Sequence, residues 1–276
     1  MNKRSPSDGS EGTERPAPVP PEVYDRAYYL EDCEGYELFI RTAGKRLPLR
    51  LEGVFHWADV RAGMHVLDVG TGRGELVWRC ATEGAFAVGI DYAPAALEIA
   101  SEGREQEAGR VTPVFSLSDG CALPFRSAAF DRVFMADLVE HLHPWQLERA
   151  LDEAYRVLVT QGMLIIHTSP NLWYYRYGYP LFRLFEALRG NRLPRDPRDR
   201  YVYHKEAHVN EQSLLSLRRS LRQAGFRRHR MWLERVNDWE RPVPSPLLRF
   251  LARFALDVYP FRWFFRNELY ALAWKQ

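Results

Sequence analysis

The stretch His65 to Cys80, HVLDVGTGRGELVWRC, constrains this chain more than any other. A short β-branched run ends in glycine, which marks a buried strand. Gly70, Gly72 and Gly74 follow at alternate positions, and a helix-forming segment, Gly74 to Thr82, begins at once. Such glycines let the backbone turn tightly and approach a ligand closely. The helix start that follows offers free N–H groups to a carboxylate or phosphate. A dinucleotide loop of the GxGxxG type would need its third glycine at position 75, where Glu75 stands. That carboxylate counts against a pyrophosphate, and so against an NAD-dependent oxidoreductase.

The same alternation continues along the chain. Phe86 to Asp91, Val111 to Asp119, Phe130 to Asp137 and Met163 to Thr168 read as strands. Pro94 to Glu107 reads as a helix with proline near its start. Pro144 to Val159 is the clearest helix, because Leu147, Leu151, Ala154, Tyr155 and Leu158 form one apolar stripe, and Gln161-Gly162 ends it. Later, Asn210 to Ala224 reads as a helix capped by Gly225, and Phe226 to Glu234 and Glu268 to Trp274 as two more strands forming a hairpin around a long connection. The expectation is an α/β Rossmann-like fold with a mostly parallel, seven-stranded sheet and helices on both faces.

Charge divides the chain. Its 38 Lys and Arg against 36 Asp and Glu leave a formal net charge of +2, which argues against a nucleic-acid binder working by bulk charge. Residues 1–170 are acidic, with 17 basic and 26 acidic side chains, whereas residues 171–235 carry 15 basic and 6 acidic ones. We therefore divide it into a disordered polar tail (1–22), an N-terminal helical cap (23–60), a cofactor-binding core (61–170), an inserted aromatic and basic lid (171–210) and a C-terminal completion of the sheet (211–276) carrying an amphipathic insertion. Cys33, Cys80 and Cys121 have no CxxC spacing, so no disulfide framework is expected and a reducing cytoplasm fits. The polar tail lacks the apolar run of a signal peptide. Pro246 to Phe265 is interrupted by Arg249, Arg253, Asp257, Pro260 and Arg262, so it does not read as a spanning helix. Within it, Leu247, Phe250, Leu251 and Phe254 share a helical face, which packs on the body or, with Phe261, Trp263, Phe264 and Phe265 nearby, meets a membrane surface. Nothing in the sequence sets the oligomeric state.

Acids mark the successive strand ends. Asp91 closes the second strand, where a carboxylate can accept from both hydroxyls of a ribose. Asp119 ends the third and can accept from an adenine amino group, with the N–H groups of Cys121 or Ala122 near the ring nitrogens. In order, VLDVGTGRGEL, GIDYAPAAL, SDGCALPF, FDRVFMADLVEHL and RVLVTQGMLII resemble the motifs of class I S-adenosylmethionine-dependent methyltransferases of small-molecule type, similar to the ubiquinone-pathway O-methyltransferase group. The likeness covers about Gly63 to Ile166. It implies strand order 3-2-1-4-5-7-6 and S-adenosylmethionine as cofactor. It assigns Asp68, Gly70, Gly72 and Gly74 to the methionine moiety, Asp91 to the ribose and Asp119 to the adenine. Tyr92, Gly120, Cys121 and Asp137 complete the cofactor set.

Methyl transfer needs an acceptor lone pair aligned with the C–S bond. A hydroxyl acceptor also needs a base, and Asp137, His141 and His167 are the candidates, with Glu140 and His143 nearby. Asp137-x-x-Glu140-His141 is similar to the acid-x-x-Glu-His run that holds a divalent cation in the ubiquinone group, but bracing of the next loop is the favoured reading and no metal is assigned. His204 and His208, four apart, read as a hydrogen-bonding pair rather than metal ligands. Tyr28 or Tyr29 is placed over the cofactor. The insertion is expected above the fifth strand, with Trp173, Tyr174, Tyr175, Tyr177 and Tyr179 lining an acceptor pocket and Arg192, Arg195, Arg198 and Arg200 holding an anionic or carrier-linked acceptor. The expected activity is methylation, most readily at oxygen, of a small-molecule or glycan-type acceptor. RNA methylation by the basic lid is the alternative, although Asp137-Leu-Val-Glu stands where a base-amino methylase would carry Asn-Pro-Pro-Tyr.

Overall fold

A computed structural model describes residues 15–42, 46–102, 112–188, 190–200, 202–234, 250, 254 and 257–276. Seven strands form one sheet in the order β3-β2-β1-β4-β5-β7-β6. These are β1 (His65–Val69), β2 (Phe86–Asp91), β3 (Val114–Leu117), β4 (Phe130–Ala136), β5 (Leu158–Thr168), β6 (Arg228–Glu234) and β7 (Glu268–Trp274). The first five pair in parallel, and β7 runs antiparallel between β5 and β6. Order and hairpin are those expected from the sequence.

The α-helices among the described residues are α1 (Tyr36–Thr42), α2 (Leu49–Ala58), α3 (Glu75–Thr82), α4 (Pro94–Glu102), α5 (Pro144–Val157), α6 (Tyr179–Leu188), α7 (His204–Ala207), α8 (Leu214–Gln223) and α9 (Arg262–Phe265). Alternate residues of the central strands feed two apolar layers. Leu67 and Val69 meet Leu147, Leu151, Leu217 and Phe226 on one face. Val66 meets Val54, Leu76, Val77 and Cys80 on the other. Both faces of the sheet are therefore covered, as parallel sheets require.

Several boundaries differ from expectation, and β3 (Val114–Leu117) is shorter than the expected strand at both ends. The long helix stops at Val157, because Leu158 pairs with Phe130 and starts β5 early. Gln161, at φ +65°, lies inside that strand, donating its N–H to the Lys275 carbonyl. Gln161-Gly162 is thus a kink within a strand, not a helix stop. The second long helix begins at Leu214, because the Ser213 side chain caps it. The Val209 and Asn210 N–H groups go instead to the Glu140 carbonyl. Residues 15–22, assigned by composition to a disordered tail, lie on the body: Trp145 donates to the Pro16 carbonyl and Tyr92 to that of Val19, which is buried. Residues 1–14, the ends of two predicted elements (103–107 and 111) and most of the amphipathic stretch at 246–256 lie outside the described residues. Among the described residues no helix is long and apolar enough to cross a membrane.

Leu151 is fully buried between α5 and the sheet. Leu151→Ala is expected to cost about 2–5 kcal/mol of stability in denaturant unfolding, with the larger loss if the cavity does not collapse.

Candidate functional site

A cavity of about 480 Å³ opens at the carboxyl ends of β1, β2 and β4, where open α/β sheets take ligands. Its floor is the glycine loop. Gly70, Gly72 and Gly74 have φ of +71°, +52° and +79°, which only glycine adopts without strain. A Cβ on Gly70 would come within 2.8 Å of Leu138, whereas one on Gly74 would strike the Phe115 ring at 2.7 Å. Gly70 and Gly72 line the cavity and Gly74 does not, so Gly74 serves packing between the loop and β3.

The wall is acidic. Asp68 sits at the end of the central strand, 3% exposed. One oxygen accepts from the Thr71 hydroxyl at 2.9 Å, and the other has no hydrogen-bond partner. Burial pushes this carboxyl up to about 7, against the opposing hydrogen bond. Asp91 accepts from the N–H groups of Gly72 (2.9 Å) and Ala93 (3.0 Å) and is also raised by burial, which these bonds partly offset. Asp119 and Gly120 line the third strand tip. Cys121 lies outside the cavity: its N–H donates to Asp119 and its thiol faces the Gln146 carbonyl, so the N–H proposed for an adenine is already used. Tyr92 lines the wall.

The N-terminal segment roofs the cavity with Tyr24, Tyr28 and Tyr29, two of them foreseen in the sequence. Their rings meet edge to face, 5.1 Å apart in each successive pair. Arg73 holds this roof. Its guanidinium donates to the carbonyls of Tyr29, Cys33 and Glu34 and pairs with buried Glu75. Sequence reasoning missed Arg73, and read Glu75 only as a repulsive charge.

A second group of charges stands at the tips of β4 and β5. Asp137 has φ +52° and lines the cavity. Its carboxylate accepts from Arg50 and from His167 Nδ1 at 2.6 Å. His167, fully buried, turns its other nitrogen to Glu268 at 2.6 Å. It does not reach the cavity, so it touches no ligand there. Burial raises Glu268, but His167, Arg50 and Ser169 outweigh it and leave the carboxyl below its usual range. Glu140 accepts from the Thr168 hydroxyl at 2.8 Å and faces the Ser169 N–H, and burial pushes it up to about 7.

His141 lines the cavity. Its Nδ1 lies 3.2 Å from the Ala207 carbonyl and 3.1 Å from the Tyr24 hydroxyl. A carbonyl can only accept, so Nδ1 carries the proton and Nε2 the lone pair, a tautomer assigned from the network. Burial is the main cause that lowers His141 to about 4. His208 packs against it with ring centroids 4.8 Å apart and stacks on His204 at 4.0 Å. Glu140, His141 and His208 each bring a ligand-type atom within 4.8 Å of the others. These histidines, far apart in sequence, are therefore one cluster. The insertion's aromatic residues are elsewhere: Trp173 packs on Trp263, Tyr177 on Phe264, and Tyr179 is buried with its hydroxyl on the Pro194 carbonyl. None of them, and none of Arg192, Arg195, Arg198 or Arg200, lines the cavity. Arg198 pairs with Glu211.

Residues 66–162 match the methyltransferase domain family. The core is a class I S-adenosylmethionine-dependent methyltransferase domain. The demethylmenaquinone methyltransferase of Thermus thermophilus is 38% identical over 40% of this chain and 49% of its own. That of Symbiobacterium thermophilum is 26% identical over 78% and 89%. The erythromycin 3''-O-methyltransferase of Saccharopolyspora erythraea is 33% identical over 50% of this chain and 43% of its own. The chain thus spans about half the length of two of these relatives. A phosphoethanolamine N-methyltransferase 2 of Haemonchus contortus, solved with S-adenosylmethionine, shares the fold: TM-score 0.57 and 18% identity over 91% of this chain and 59% of that one. S-adenosylmethionine suits the residues of this methyltransferase domain. An unpartnered buried carboxylate oxygen on Asp68 and two further acids favour a cationic, hydroxyl-rich ligand over a pyrophosphate.

Asp68 supplies a pH signature. With its carboxyl at about 7, the group is protonated below that pH and ionised above it, and a cationic ligand favours the ionised form. Affinity for S-adenosylmethionine should rise by up to about tenfold per pH unit toward pH 7 and then level off. Asp68→Asn should flatten that slope in titration calorimetry, and a wild-type affinity independent of pH would contradict it.

Proposed function

We propose that this chain moves the methyl group of S-adenosylmethionine to an oxygen of a small-molecule acceptor, glycan-type acceptors included. The observation that carries this reading is a neutral imidazole, His141, in the wall of a cavity whose other strand tips bear acids. The relatives named as O-methyltransferases agree with it.

When bound, S-adenosylmethionine supplies an electrophilic sulfonium methyl. Asp91 takes the ribose hydroxyls, and Asp119 with Gly120 holds the adenine side. Gly70 and Gly72 let the loop backbone approach the methionine end, beside the open oxygen of Asp68. The tyrosine roof would shield the donor from water and narrow the approach of the acceptor oxygen. His141 Nε2 would take the proton of the acceptor hydroxyl, leaving its oxygen lone pair for the methyl group that the donor would supply, with the demethylated donor as the other product. Nδ1–H stays on the Ala207 carbonyl, which fixes the ring. Asp137 is not given this role, because each of its oxygens is already engaged, one by Arg50 and the other by His167. A role for His167 is limited to holding Asp137.

Two other readings lose support. Hydride transfer would set a pyrophosphate against Asp68 and Asp91, both lining the cavity. RNA methylation drew on the insertion's arginines, which lie outside it. An anionic acceptor held by those arginines loses its basis for the same reason.

Incubation with labelled S-adenosylmethionine and cell extract, followed by mass identification of the labelled product, tests the reading. With the acceptor in hand, His141→Gln should lower kcat by about 10²- to 10⁴-fold. Donor affinity should stay within about threefold, since His141 is given no donor contact. An unchanged kcat would remove His141 as base.

A further inference from the structure

The insertion's helical run, residues 174–188, turns an apolar side outward. Tyr177, Leu181 and Leu184 lie at i, i+4 and i+7 and are 49%, 57% and 60% exposed, whereas Tyr179, between them in sequence, is buried. A helix that faces only water carries polar groups on that side, so this stripe is a face without its partner. The stripe does not end with the insertion, because α9 lies against it. Tyr177 meets the Phe264 ring edge to face, with centroids 5.5 Å apart. A Cβ on Gly178 would strike the Phe264 carbonyl, so only glycine permits that approach. Next to Phe264, Trp263 packs on Tyr259 at 4.8 Å, and Tyr259 and Phe261 are themselves exposed. Two segments far apart in sequence thus form one exposed apolar surface.

Charge says what kind of partner it fits. Arg176 lies over the Tyr177 ring at 5.7 Å, and Arg262 over that of Tyr259 at 5.8 Å. Both arginines are exposed, and neither meets a carboxylate among the described residues. The acids of the two segments are occupied, Asp257 by Arg266 at 3.4 Å and Glu186 by Asn191 at 2.6 Å. Exposed leucines between tyrosines, flanked by unpaired arginines, match the boundary of an anionic bilayer. There the apolar groups meet acyl chains, the aromatic rings lie at headgroup depth, and phosphates take the guanidinium groups. A two-fold contact with a second copy would instead set one arginine-bearing patch against another.

We infer that α6 and residues 257–265 form a docking surface for an anionic lipid bilayer, Leu181 and Leu184 entering its apolar boundary while Arg176 and Arg262 pair with headgroup phosphates. The surface stands on its own side chains and holds or fails apart from the methyl-transfer reading. Its place in the fold gives it a use. β5 runs into the insertion at the end of the sheet where the cavity opens, and β7, antiparallel to β5, starts at that same end. Both halves of the surface therefore leave the sheet on the cavity's side, and docking sets that side toward the lipid.

Co-sedimentation of the full chain with vesicles tests this. Phosphatidylglycerol vesicles should carry the chain down, pure phosphatidylcholine vesicles should bind it about tenfold more weakly, and added salt should release it from the first. Arg176→Gln and Arg262→Gln should each weaken binding to phosphatidylglycerol by about fivefold, the effect of one basic group near a charged surface. Leu181→Asp combined with Leu184→Asp should abolish it and leave the thermal unfolding midpoint unchanged, because both side chains are exposed. Absence of sedimentation with phosphatidylglycerol vesicles overturns the docking surface, as does equal affinity for the two vesicle types or binding untouched by the leucine pair. A dimer in light scattering that the leucine pair dissolves also overturns it, since a second copy would then cover the face.

Discussion

A carboxylate at the buried end of the central strand is the constraint around which this site is arranged. Asp68 is flanked by β2 and β4 and has one oxygen without a partner. Burying such a group without full compensation costs stability, and the protein responds by holding the proton to about pH 7. A packed apolar residue would be cheaper at that position. The cost is sensible only if a donor or cation completes the site, and the same holds for Asp91, whose carboxyl is also raised by burial. The glycine loop follows from this demand, since only a loop without side chains lets a ligand come close to both acids.

The roof depends on a second buried charge. Arg73 reaches from the loop into the carboxyl end of the helical turn Tyr28–Asp32, where free carbonyls carry partial negative charge. Its charge is balanced by Glu75, equally buried. Removing either would strand the other in a dry setting, a more severe loss than that of a surface pair. Residues 15–42 are thereby tied to the glycine loop, so ligand floor and tyrosine roof form one unit. The position that disfavoured a dinucleotide loop is the one that balances this anchor.

The parts of the fold legible in the sequence are those written in local pattern. Three alternating glycines, the β-branched runs and the acids at their ends gave the strands and the cofactor side. Local pattern failed where a distant partner decided the outcome. Leu158 and Val159 continue the helical stripe, yet pairing with Phe130 draws Leu158 into β5. The tyrosines and arginines of the insertion match a pocket lining by composition, yet Trp173, Tyr177 and Tyr179 pack against Trp263, Phe264 and the insertion itself. Arg50 and Glu268 carried no motif. They meet Asp137 and His167 across 87 and 101 residues, a separation that only the folded sheet closes.

The insertion still bears on chemistry, but through backbone rather than through its side-chain charges. The Ala207 carbonyl takes the proton-bearing nitrogen of His141, and the N–H groups of Val209 and Asn210 hold the Glu140 carbonyl just before it in sequence. His208 then covers the same ring. Burial lowers all three histidines of the cluster, so the imidazole at the cavity is kept neutral and in one tautomer. A segment rich in arginine thus contributes a dry, neutral setting to the site, because its main chain closes over His141 while Arg198 and Lys205 pair with Glu211 and Asp199.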